Sequence, residues 1–182
     1  MGNKLPTLLD SKISIMNFNE ALPSATTLTR TIEKLVKKSS SSSAKVKRES
    51  TKELYELAYR GARMPSEAID AFVARLGDDD EETRESASWG LKHCSPFSIP
   101  SLVSCLNNKV AEVRRLAARA LVSILQASDE SRPRRAVVEA LGALGPQAIE
   151  ALHVLKTTVD DFDPEVSEAA IASITQIRPQ RH

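Results

Sequence analysis

Apolar positions along the chain recur with the spacing of one helix face, and the same short helix then recurs along the chain. Four stretches carry the rhythm: TRESASWGL (83–91), VRRLAARAL (113–121), PRRAVVEAL (133–141) and VSEAAIASI (166–174). Small residues, mostly Ala, are frequent within them, and each ends in an apolar Leu or Ile. Their final residues, Leu91, Leu121, Leu141 and Ile174, lie 30, 20 and 33 positions apart. A short helix with one apolar face cannot bury that face alone. Copies at such spacing therefore imply units stacked side by side, an α-solenoid.

Helix boundaries follow from the breakers between apolar runs. Residues 24–38 place Leu28, Ile32, Leu35 and Val36 on one face, with Ser24 as cap. A helix over 45–59 turns Val46, Leu54, Leu57 and Ala58 inward, and Gly61 and Pro65 end it. The next starts at Ser66, buries Ile69, Phe72, Val73 and Leu76, and reads as closed by a C′ glycine, Gly77. The acidic run 78–82 suits a helix start, where negative charge is favoured. The helix it opens carries Ala87, Gly90 and Leu91 and stops before Pro96. Pro100 falls in the first turn of another, which turns Leu102, Val103 and Leu106 inward.

Asn108 reads as the cap of the best-patterned helix, with Val110, Val113, Ala117, Ala120, Leu121 and Ile124 on one stripe. After a break at Ser128 and Asp129, a helix runs to Leu144 and is closed by Gly145. Pro146 opens one that turns Ile149, Leu152, Leu155 and Val159 inward. Asp163, Pro164 and Glu165 start the last, which ends before Pro179. No segment sustains period-2 alternation, so no sheet is expected.

Composition sharpens this picture. Apolar residues make up 41% of the 182 residues but aromatics only 4%, which suits closely packed helices of Ala, Leu, Val and Ile. Five consecutive serines at 39–43 have the composition of a flexible linker and mark a boundary. The expected organisation is an N-terminal extension over 1–43, a repeat domain over 44–177 and a short tail over 178–182. Net charge is +1, yet residues 1–48 carry +6 and the rest −5. Such an arm suits an acidic partner or a membrane surface, or serves only as a solvated tail.

Nothing approaches the length of a transmembrane helix, and no secretory signal is visible. Two cysteines do not make a disulfide framework, so the expected location is intracellular and cytoplasmic. The N-terminal arm leaves organelle targeting open. The start resembles a myristoylation site, but Pro6 sits where Ser or Thr is needed. The arm is Ser-rich like a transit peptide, but short of arginine.

The paired helices, their punctuation, VRRLAARAL and the segment VVEALGALGPQAIEALHVL resemble HEAT repeats, closest to the short type of phycobilisome-lyase-like proteins. The resemblance covers 44–177 and reads most strongly over 108–177. It implies an all-α, right-handed α-solenoid of armadillo-like helical hairpins. It also implies that Arg84, Arg114 and Arg134 pair with acidic residues of neighbouring turns, Ser167 being the exception. The 20-residue spacing departs from the pattern: either a B helix is lost there, or the segment 131–144 is itself the B helix. The final helix, 164–177, either offers an apolar face for self-association or chain continuation, or tucks onto 147–159.

No cluster carries catalytic chemistry. His93-Cys94 with Cys105 falls short of the four ligands a structural zinc needs, and buried inert thiols are the plainer reading. No His-Glu dipeptide, as used by di-iron HEAT hydroxylases, occurs, nor any phosphate loop or nucleophile elbow. Residues 78–82 lack the glycine of a calcium loop and fit a capping turn. The arginines at 114, 115, 119, 132, 134 and 135 come without stacking aromatics, so nucleic acid is not an expected partner.

The expected function is a non-catalytic scaffold binding an unspecified protein along its helical surface, without metal or cofactor. The groove residues would be Asp70, Arg75, Ser101, Ser104, Asn107, Glu150 and His153 on B helices, with Arg115 and Arg119 beside them. The alternative, implied by the repeat type, is a bilin lyase or pigment-protein chaperone. Substituting Leu121→Asp places an unpaired carboxylate on the apolar stripe and is expected to abolish cooperative unfolding by circular dichroism. Arg115→Glu should leave the melt unchanged.

Overall fold

The computed structural model describes residues 22–177, apart from the side chains of Gln147 and Glu150. The readings made for residues 1–21 and 178–182 lie outside the described residues. Every regular element among the described residues is helical: α1 (Ala25–Ser39), α2 (Ala44–Tyr59), α3 (Ser66–Arg75), α4 (Glu81–His93) and α5 (Ile99–Cys105). They continue as α6 (Ala111–Ala127), α7 (Ser131–Ala143), a 3-10 turn (Gly145–Ala151), α8 (Leu152–Thr158) and α9 (Pro164–Ile177).

The helices form two layers of an α-solenoid. In the A layer α2 stacks on α4, α4 on α6, α6 on α7 and α7 on α9. In the B layer α1 touches α3 and α3 touches α5. The seam between layers is apolar: Leu54, Phe72, Leu76, Leu91, Leu102, Leu116, Leu121 and Leu141 are almost wholly buried. Burial of each such side chain stabilises the fold by about 1.5–3 kcal/mol relative to leaving it exposed. Small residues set the spacing. A Cβ added at Gly90 would fall 2.4 Å from the Phe72 ring, so α3 and α4 approach this closely only because position 90 is glycine.

Local chemistry starts each A helix. The Asp80 carboxylate accepts from the Thr83 N–H at 2.9 Å and from its hydroxyl at 2.6 Å, capping α4, while Glu81 and Glu82 fill the first turn. Residues 78–82 are thus part of a capping turn, as expected. Asp78 accepts from the Asp80 N–H, and Asp161 does the same for Asp163.

The fourth residue of each A helix then ties the turns together. Arg84 donates to the Asp78 and Asp79 carbonyls at 2.7 and 2.9 Å. Arg114 donates to those of Asn108 and Lys109 at 2.8 and 3.0 Å. Arg134 donates to those of Ser128 and Asp129, both at 2.9 Å. In α9 the equivalent residue is Ser167, whose hydroxyl donates to the Val159 carbonyl at 2.6 Å. Where the next turn carries Asp, the cation also crosses to it. Lys47 meets Asp78 at 2.6 Å, and Arg134 forks onto both Asp161 oxygens at 2.9 and 3.0 Å.

The arginine ladder expected to run through acidic residues therefore runs mainly through backbone carbonyls. Arg84 reaches Glu112 only at 3.8 Å, and its Nε lacks a hydrogen-bond partner. The same bonds settle the phase after residue 128. Arg134 repeats the pattern of Arg84 and Arg114, and α7 stacks on α9, so α7 is an A helix and the B helix after α6 is missing. In its absence α5 packs directly on α7.

Other expectations are corrected. Residues 39–43 are a short connection, and α1 packs on α2 and α3, where it covers the first face of the stack. Ser39 is buried and donates to the Val36 carbonyl, and Ser43 caps α2. Ile32 and Leu35 of α1 join the common core, a burial that serine composition cannot reveal. Gly77 stands at C′ of α3 as expected, but without the left-handed conformation, which belongs to Gly61 and Gly145. Its place is explained by contact, since a Cβ there would lie 3.3 Å from Val113.

Asn108 is not the cap itself. It lies two residues before the N-cap, Val110, and its carboxamide accepts the Val110 N–H at 2.9 Å. Val110 faces solvent. The helix expected from Pro146 is a 3-10 turn kinked at Ala148 followed by the short α8, which leaves Ile149 exposed. The last helix buries Val166, Ala170 and Ile177 against α7 and α8 but leaves Ile171 about half exposed.

Arg134 is 4% exposed and Asp161 10%, with the Phe162 ring over the guanidinium at 4.3 Å. Arg134→Ala would strand a buried carboxylate and two carbonyls, and should cost about 3 kcal/mol or more in urea unfolding. Arg114→Ala, which removes only exposed carbonyl contacts, should cost well under half of that.

Candidate partner-binding surface

The expected B-layer residues separate into groups. Asp70 is exposed on α3, Ser104 is exposed on α5 and Asn107 just beyond it, while Ser101 is half-buried. Since α3 and α5 touch, these four share one end of the B layer. His153 is exposed on α8, beyond the missing helix. Glu150 belongs to the 3-10 turn, and its side chain lies outside the described residues.

Arg75 belongs to the turn network, because its guanidinium sits 3.3 Å from the Asp78 carboxylate that also takes Lys47. Burial works against the Asp78 charge. The hydrogen bonds from Lys47 and the Asp80 N–H, with the charges of Lys47 and Arg75, still hold that carboxyl below its ordinary range.

Arg115 and Arg119 lie on α6, in the A layer, apart from the residues of the B layer. Arg115 forks onto Glu112 of its own helix at 2.6 and 2.8 Å, and this bond holds the Glu112 carboxyl low despite some desolvation. Arg119 crosses to Glu85 of α4 at 2.5 Å.

A group that sequence reasoning passed over gathers on the A layer. Tyr55 and Tyr59 of α2 meet His93 of α4, with ring centroids 6.1 and 5.0 Å away, and the two tyrosines pack edge-on at 6.1 Å. Burial, then the Lys92 charge, pushes the His93 imidazole below its ordinary range, so this ring is neutral at neutral pH. One helical turn back stands Trp89, with the Lys92 ammonium 4.9 Å from its ring centroid.

Trp89 and Lys92 also line a shallow depression against α6, with Ser88, Arg119, Ala120 and Ser123. Its enclosed space is about 10 Å³, room for roughly one water and far below the several hundred Å³ of a small-molecule pocket. Aromatic and cationic side chains from α2, α4 and α6 thus form one strip across three successive A helices. The signal available in the sequence was the clustering of Tyr55, Tyr59, Trp89 and His93 in the C-terminal halves of two A helices.

His93 and Cys94 do not form a thiol or metal centre. The imidazole is taken up by the tyrosines, and the Cys94 side chain turns into the core. Among the described residues no three His, Cys, Asp or Glu side chains come together to hold a metal. Burial pushes the Cys94 thiol up to about 12 and raises Cys105 as well.

Stacked hairpins with a recurring N-terminal arginine find a match among known families. A profile described as HEAT repeats covers residues 32–122, half of the chain. This chain is a HEAT-repeat protein. The match begins inside α1 and ends inside α6, so it covers the regular half of the array rather than 108–177, where the resemblance reads most strongly. The lost B helix explains the difference.

Among solved structures the HEAT array is similar to the complex of CpcE and CpcF of phycocyanin lyase from Nostoc sp. PCC7120. Identity is 22%, coverage 87% of this chain and 67% of that one, and TM-score 0.41. A designed armadillo repeat protein is 18% identical, with 80% and 82% coverage and TM-score 0.38. An engineered protein is 23% identical, with 80% and 78% coverage and TM-score 0.36. No curated protein matches the chain.

Both thiols of the HEAT array should stay unreacted with Ellman's reagent at about pH 8 while the chain is folded, because little thiolate forms. Both should react once guanidinium unfolds it. Reaction of Cys94 in the native chain would contradict its burial.

Proposed function

We propose that this HEAT-repeat chain is a non-catalytic scaffold that holds a partner protein against its helical surface. The observation that carries the reading is the strip of Tyr59, His93, Trp89, Lys92 and Arg119 across α2, α4 and α6. Trp, Tyr and Arg dominate the energetics of protein interfaces, since they combine a large apolar area with a polar end. Here they are mounted on stacked helices, so little backbone order is lost on binding. Asp70, Ser101, Ser104 and Asn107 of the opposite layer, with His153 of α8, add polar anchors of the kind found at an interface rim. Among the described residues no helix is long and apolar enough to cross a membrane.

Crosslinked capture from native cells tests this. The wild-type chain should retain a defined protein that the Tyr59→Ala/Trp89→Ala double variant loses, with both baits equally helical and equally stable to heat. Retention of the same proteins by both baits would move the surface elsewhere. Co-expression with a bilin should give a colourless chain, and a red-shifted bound pigment would replace the scaffold reading with pigment handling.

A further inference from the structure

Resting on that scaffold reading, we infer that the depression between α4 and α6 receives an acidic segment of the partner, a carboxylate beside an apolar side chain. The six lining residues include two cations, Lys92 and Arg119, two hydroxyls, Ser88 and Ser123, and no carboxylate. Glu85 approaches only to hold Arg119, at 2.5 Å, which fixes the guanidinium and offsets one of the two charges.

The other charge is uncompensated. Among the described residues Lys92 faces no carboxylate, and its ammonium lies over the Trp89 ring. An ammonium held on an indole face keeps its remaining N–H groups for an acceptor, while the ring beside it stays apolar. A hydrogen-bond acceptor with negative charge thus satisfies Lys92, Arg119 and the serines together. A neighbouring aliphatic or aromatic side chain covers Trp89 and Ala120. The depression is too shallow to enclose a folded element or a pigment, so the segment rests across it. A basic segment would set like charge against Lys92, which disfavours it.

Trp89 is the only tryptophan, so intrinsic fluorescence reports this site alone. The probe is a phage-displayed random-peptide library panned on the full chain, followed by titration of synthetic copies of the enriched peptides. Enriched sequences should share Asp or Glu next to Leu, Ile or Phe, and should shift the Trp89 emission. Binding should weaken as salt rises. It should fall about tenfold or more in Lys92→Glu and less in Lys92→Gln, with unchanged circular dichroism in both variants.

Peptides without acidic residues, or peptides that bind both lysine variants as well as wild type without moving the emission, would overturn this site. The scaffold reading would then stand. No enriched peptide, together with no captured partner, would overturn both.

Discussion

The stack depends on a cation or hydroxyl placed at the fourth residue of each A helix. A turn between helical hairpins leaves carbonyls with no helical partner, and their burial beside a neighbouring repeat is costly unless a donor reaches them. Arg84, Arg114 and Arg134 supply two N–H bonds each to the turn that precedes their own helix, and Ser167 supplies one. The turn becomes rigid, and the angle at which one hairpin follows the last is fixed. Lys47 and Arg134 extend the tie to the next repeat because Asp78 and Asp161 stand opposite them. At Arg84 the corresponding turn residue is Asn108, and Arg84 itself makes no close ion pair across that junction.

That unevenness matters because surface ion pairs in a stack contribute little, whereas a buried, forked pair is costly to break. Arg135 with Glu139 and Glu165, or Arg115 with Glu112, are exposed pairs of the first kind. Arg134 with Asp161 is of the second, and it sits beside the one irregular junction of the array. Loss of the B helix after α6 leaves α7 to contact both α6 and α5, so the strongest rung lies where the layers are least regular.

The same regularity explains why the aromatic strip lies where it does. Side chains on α2, α4 and α6 meet across the surface because these A helices stack directly on one another. Tyr59, His93, Trp89 and Arg119 span those three helices. His93 and Cys94 are neighbours in the chain but part company in space. The imidazole joins the aromatic surface, and the thiol enters the core, where desolvation suppresses its ionisation.

The amino-acid sequence by itself determined the helices, most of their ends and the class of fold. Those properties are local or periodic: apolar spacing, Pro in first turns, Asp80 before its helix, and the recurring arginine. It also located the anomaly, the short interval between Leu121 and Leu141. Only the tertiary structure decided which helix fills which layer, because the PRRAVVEAL segment has one apolar face whether it serves as A or B, and Arg134 reveals its role only through the carbonyls it meets. Gly77 keeps its place through contact with Val113, a neighbour distant in the chain, whereas Ile149 was misread because the turn kinked at Ala148 breaks the expected helical register. The residues expected to meet a partner were chosen by helix face alone. Whether such faces converge depends on the rotation between repeats, which is set by contacts between helices and leaves no periodic trace in the chain.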